Sequence, residues 1–122
     1  MAIFVISKRD NGDYKFVFSS RKGKVIFTSI GCKHKSDCEQ IIDAIRDNLD
    51  LFSFTKNITA SGRYFFRLSK GGLVLASSRK YASEYSLKKS ITEISKYVIS
   101  AETLDFSEDQ FVFPDAADVF QN

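Results

Sequence analysis

The residues best suited to chemistry lie in one stretch, Gly31-Cys-Lys-His-Lys-Ser-Asp-Cys-Glu39, which holds both cysteines and the only histidine. Three chemistries compete for it. Cys32, His34 and Cys38, with Asp37, are zinc-ligand types, but structural zinc sites pair two such elements and only one is present. His34 lies close enough to either thiol to act as its base, yet no third group is evident to orient it. Lys33, His34 and Lys35 precede an expected helix start, where free N–H groups favour an anion. Asp37 and Glu39 fall in that same first turn and would repel one. The plain reading is architectural. Ser36-Asp-Cys-Glu39 has the spacing of a capping box, with Ser36 as the cap and Cys38 heading the buried stripe of the helix.

The rest of the chain offers no alternative chemistry. It contains no Gly-rich phosphate loop, no Ser/His/Asp arrangement and no acidic metal cluster at useful spacing, so neither enzyme activity, a cofactor nor a metal is expected. Its 122 residues, 43% apolar with 12 phenylalanines, suffice for a core without a disulfide framework. The apolar run at the start, residues 2–6, is too short for an export signal or a membrane span. Two thiols in such a chain are expected to be reduced, in a cytoplasmic protein. Charge is divided unevenly. All 18 Lys and Arg lie within residues 1–100 against nine acids, whereas residues 101–122 carry six acids and no Lys or Arg. A basic body with an acidic tail either holds the tail against itself or reaches for an acidic partner, and the plain alternative is ordinary surface charge with a solubilising tail.

Self-comparison organises these elements. Gly12, Tyr14, Phe16 and Phe18 align with Gly62, Tyr64, Phe66 and Leu68. After a one-residue deletion Gly23, Val25, Ile26 and Ser29 align with Gly72, Val74, Leu75 and Ser78. The register continues through Cys32 on Tyr81, and through Cys38, Ile42 and Ile45 on Leu87, Ile91 and Ile94. Each copy reads as a strand (3–8; 52–58), a turn at Asn11-Gly12 or Ser61-Gly62, and a second strand of period two. A third strand follows (24–29; 73–78), then a helix, with Ser83 capping the second one. Residues 103–106 and 111–113 read as short strands. The expectation is one α+β domain over residues 1–122. Its two repeats, 2–50 and 51–106, form one antiparallel sheet with both helices on one face, and a C-terminal strand and acidic tail occupy 107–122.

The combination of Gly62, Tyr64, Phe66, Leu68, Gly72, Ser78, Tyr81, Ser83 and Ile91, with Gly12, Tyr14, Phe16, Phe18, Gly23, Ser29 and Ile42, resembles the YegP-like family of short bacterial domains. Cys32, where a tyrosine is usual, and His34 depart from its pattern. The resemblance implies tandem β-β-β-α-β units related by a pseudo-twofold axis, with C-terminal strands exchanged so that 103–106 returns to the first half. It supplies no catalytic residues.

If Tyr14, Phe16 and Phe18 face the helices, the opposite sheet face carries Lys15, Val17, Arg63, Phe65 and Arg67. Taking Ile26 and Leu75 as core residues turns Val25, Phe27, Val74 and Ala76 outward as well. The candidate binding surface is therefore Lys15, Val17, Phe27, Arg63, Phe65 and Arg67. A non-catalytic interaction module is the expected function, with a second copy or another protein as partner and no membrane. Single-stranded nucleic acid is the alternative, because aromatics and arginines on an open sheet stack bases and hold phosphates. A third reading lets the tail cover this face through Phe111, Phe113 and Phe120.

Overall fold

In the computed structural model, which describes residues 2–20 and 22–107, the chain forms β1 (Ala2–Lys8), β2 (Tyr14–Ser20), β3 (Val25–Ser29) and α1 (Lys35–Asp47). A short 3-10 turn (Leu49–Leu51) leads to β4 (Ser53–Ile58), β5 (Tyr64–Lys70), β6 (Leu73–Ser78), α2 (Glu84–Tyr97) and β7 (Glu102–Asp105). The strand expected at 111–113 and the tail beyond Ser107 lie outside the described residues. Gly12 and Gly62 turn the β1–β2 and β4–β5 hairpins at φ of +92° and +85°, a backbone region in which a Cβ is strained.

The strands form one seven-stranded sheet in the order β4-β5-β6-β3-β2-β1-β7. β3 and β6 join the halves antiparallel, with Thr28 opposite Ser77. Two expectations need correction here. The sheet is mixed, because β7 runs parallel to β1, pairing Val5 with Leu104. A strand that follows a helical crossover is not held antiparallel by a tight turn. The return of 103–106 to the first half is as expected, but it runs one way only: β4, at the other edge, receives no strand from the first half.

Both helices lie on one face. Phe4, Ile6, Phe16, Phe18, Phe27, Phe66 and Leu68 from the strands share one buried cluster with Cys38, Ile42 and Ile45 of α1 and with Leu87 and Ile94 of α2. Aromatic rings run through it from strand to strand. Phe4 meets Phe18 at 4.8 Å, Phe18 stacks on Phe27 at 5.1 Å, Phe27 meets Phe66 at 6.4 Å and Phe66 meets Phe54 at 5.3 Å. Each fully buried ring contributes about 1.5–3 kcal/mol relative to exposure, so this row is the main cement between the halves.

Phe27 is therefore a correction to the expected outer surface. The pairing shifts after Phe18, so that Phe18 faces Phe27 and Ser19 faces Val25. Ile26 is the extra residue of a β-bulge, and the inward–outward alternation loses its phase there. Phe27 turns into the core at 0% exposure, and Val25 stays outside at 39%. The same shift between Leu68 and Ser69 makes Leu75 the extra residue, burying Ala76 and leaving Val74 out.

The helix starts also differ from one another. Ser83 caps α2, accepting a hydrogen bond from the Ser86 N–H at 3.1 Å. At α1 the cap position is His34, which makes no side-chain cap bond, and Ser36 already lies in the first turn, so the expected capping box does not form. The cause is a backbone bridge. Tyr14 and Cys32 exchange two hydrogen bonds of 2.7 Å, as Tyr64 and Tyr81 do at 2.8 and 2.6 Å. In each half the helix cap sits two residues past that bridge, and in the first half the residue there is histidine.

Candidate functional site

Both thiols of the cysteine-histidine stretch belong to the core. Cys32 is pinned by its bridge to Tyr14, and Cys38 is wholly buried on the inner face of α1. Burial, together with the hydrogen bond that the Cys38 thiol donates to Cys32, pushes the Cys38 thiol up to about 12. Burial also raises the Cys32 thiol, and contact with Cys38 only partly offsets this. Thiolate is the reactive and metal-binding form, so both groups are held in the inert one. His34 is exposed at the helix start. Among the described residues, no three His, Cys, Asp or Glu side chains are grouped to hold a metal ion. The stretch does border a cleft of about 520 Å³ between α1 and the β5–β6 hairpin, lined largely by apolar residues such as Ile30, Ile41, Leu73 and Leu75.

The face of the sheet opposite the helices is reached by the other half of each strand's side chains. One row crosses all seven strands by direct pairing: Leu104, Val5, Val17, Thr28, Ser77, Arg67 and Thr55. Val17 and Arg67 thus stand in line as expected, with Thr28 and Ser77 between them. The strands carrying them are three spacings apart, about 14 Å. Arg67 lies over the Phe65 ring at 5.4 Å, making a compact cationic–aromatic pair on β5. Lys15 stands near the start of β2 and Phe65 near the start of β5, and these two strands run in opposite directions, so the two residues occupy opposite corners of the face. Arg63 is exposed in the turn before β5.

The expected patch is therefore two groups on one face, without Phe27 in the middle. Ile3, Val5 and Leu104 join it and were missed. Their signal was the alternation of β1, where Ala2, Phe4 and Ile6 take the inner side, and the return of β7 beside it. Phe65 is the aromatic carried within its strands, and the exposed Phe106, whose N–H donates to the Ile6 carbonyl, follows β7 on the Leu104 side.

No family model matches the chain. It is similar to a UPF0339 protein encoded in the 5′ region of the ptx operon of Stutzerimonas stutzeri, 26% identical over 104 residues, which are 84% of this chain and 94% of that one. It is 26% identical over 93 residues to the UPF0339 protein YegP of Escherichia coli, covering 75% of this chain and 84% of YegP. Two solution NMR structures share its fold. A UPF0339 protein of Shewanella oneidensis superimposes with a TM-score of 0.80 at 20% identity, over 90% of this chain and 95% of the other. YegP of Escherichia coli, described as a protein of unknown function, does so with a TM-score of 0.78 at 23% identity, over 88% and 94%. The resemblance to the YegP-like family thus extends to sequence relatives along most of the chain and to an α+β fold built on one mixed sheet. The names of these relatives give no activity.

Proposed function

We propose that this chain is a non-catalytic interaction module that binds protein through the uncovered face of its sheet. The observation that carries this reading is the row from Leu104 and Val5 through Val17 to Arg67. Seven strands present it, and no described element lies over it. A stretch poor in charge that carries one arginine–aromatic pair fits a protein interface, whose core is depleted of charged residues and enriched in aromatics and arginine. Nucleic acid is the weaker fit. Stacking successive bases needs aromatics at neighbouring positions, and with Phe27 in the core the aromatics left to this face, Phe65 on β5 and the exposed Phe106 just after β7, stand far apart across the sheet.

The module is in this reading a tandem duplicate with a pseudo-twofold axis between β3 and β6. Support comes from paired details: matching backbone bridges, matching bulges, and Ser29 and Ser78 in the same hydrogen-bonding role. Among the described residues no helix is long and apolar enough to cross a membrane. A cytoplasmic setting, where thiols stay reduced, suits Cys32 and Cys38.

A second copy of the chain is the first partner to test. Sedimentation velocity over a wide concentration range, at low and high salt, should show self-association that salt barely alters. A chain that stays monomeric throughout, yet binds single-stranded oligonucleotide with a steep salt dependence, would replace this reading by the nucleic-acid one.

A further inference from the structure

We propose a second, separate site: the cleft between α2 and the β3–β6 seam binds a small phosphate-bearing molecule, held by Lys24, Arg79 and Lys89. The cleft has a volume of about 250 Å³ and is lined by all three cations, which come from three elements. Lys24 follows the turn after β2, Arg79 follows β6, and Lys89 lies on α2.

These cations are not spoken for. Elsewhere in the described residues cations do take carboxylates: Lys35 with Asp105, Arg46 with Asp43, and Lys56 and Lys88 with Glu84. Among the described residues no ion pair joins Lys24, Arg79 or Lys89 to any acid, although Glu93 lines the same cleft. Three positive charges against one negative charge leave an excess that favours an anion.

Packing does not require them. In the corresponding cleft beneath α1 the matched positions are Leu73, Ile30 and Gln40, and the lysines that line that cleft, Lys33 and Lys70, stand at other positions. The same architecture has thus been given a different chemistry on one side. Arg79 is also held in place before any ligand arrives. Its N–H donates to the Ile26 carbonyl at 2.9 Å, and its guanidinium stacks 5.0 Å from the Tyr81 ring centroid. Stacking leaves the edge of the fork free to take two oxygens of a phosphate. The Tyr81 and Ser90 hydroxyls share one hydrogen bond of 2.6 Å, which leaves one of their two protons to donate. The volume lies below the usual range for drug-sized ligands, so the fit is to a phosphate with a small body attached.

The test is an amide NMR titration of the full chain with inorganic pyrophosphate at fixed ionic strength. Saturable shifts at Lys24, Arg79 and Lys89 are expected. Arg79→Ala should weaken the affinity about tenfold, as loss of a charge-assisted pair does. Lys89→Ala, on the helix surface, should weaken it in the same sense without touching the Tyr81 stack. Lys88→Ala, outside the cleft, should leave it unchanged. Shifts that never saturate and spread over all surface lysines would overturn the proposal, as would equal weakening by Lys88→Ala. A single-stranded oligonucleotide that moves the same amides at lower concentration than pyrophosphate would overturn the small-molecule assignment.

Discussion

The backbone N–H of Phe16 donates to the hydroxyl of Ser29 at 2.9 Å, and that hydroxyl donates in turn to the Ile30 carbonyl at 2.8 Å. A side chain here does the work of a ladder carbonyl beyond the last paired residues of β2 and β3, Val17 and Thr28. Phe66 and Ser78 repeat the arrangement at 2.9 Å. Ser29→Ala should destabilise the chain by about 1–3 kcal/mol, because it leaves a buried N–H without a partner. Ser78→Ala should cost less, since its bond is only partly buried. Urea unfolding of the two variants reads the difference; equal and negligible losses would show that water replaces the hydroxyl.

The two helix starts give a second contrast. Ser83→Ala removes a cap bond and should cost about 1 kcal/mol. Ser36→Ala, within the first turn of α1, should stay within about 0.5 kcal/mol of the parent. A larger loss at Ser36 than at Ser83, by thermal or urea unfolding, would restore the capping box.

Asp105 ties β7 to the start of α1. Burial acts to raise its carboxyl. The hydroxyl and N–H of Ser107, with the Lys35 ammonium at 3.0 Å, outweigh this and hold it below the ordinary carboxylate range. A depressed folded value means that its stabilisation is complete above the unfolded value near 3.9 and is lost as pH falls through the folded one. Asp105→Asn should therefore cost about 1 kcal/mol or less at neutral pH, discounted because the pair is partly exposed. The gap from the parent should close in acid. A difference independent of pH would remove the charge from the explanation.

The thiols should be silent in the folded chain. With Cys38 pushed up to about 12 by burial, and Cys32 raised for the same reason, a disulfide reagent at pH 8 should label both only slowly, and quickly once urea is added. Rapid labelling of either one in the native state would reopen the reactive-cysteine reading.

Much of this architecture is legible before folding is considered, for definite reasons. The turn glycines, the period of two in β2 and β5, and the apolar spacing of both helices report local geometry, and local geometry is written locally. What escapes is non-local. Phe27 looks outward if alternation is carried through β3, and only a bulge against β2 turns it inward. Ser36 has the spacing of a cap, but the Tyr14–Cys32 bridge decides where α1 begins. Val5 and Leu104 meet on the outer face because β7 pairs parallel with β1; the family resemblance implies the return of 103–106 to the first half, but not the parallel register that sets these two side by side. The cationic cleft escapes for the same reason, since its three cations come from separate elements.

The uncovered sheet face is examined most directly by recording amide NMR spectra of the chain from dilute to concentrated solution. The expected result is a set of concentration-dependent shifts confined to the outer row, at Val5, Val17, Thr28, Ser77 and Arg67, and abolished by Val17→Asp. Shifts confined to the helical face, or a spectrum unchanged by concentration and by Val17→Asp alike, would contradict it.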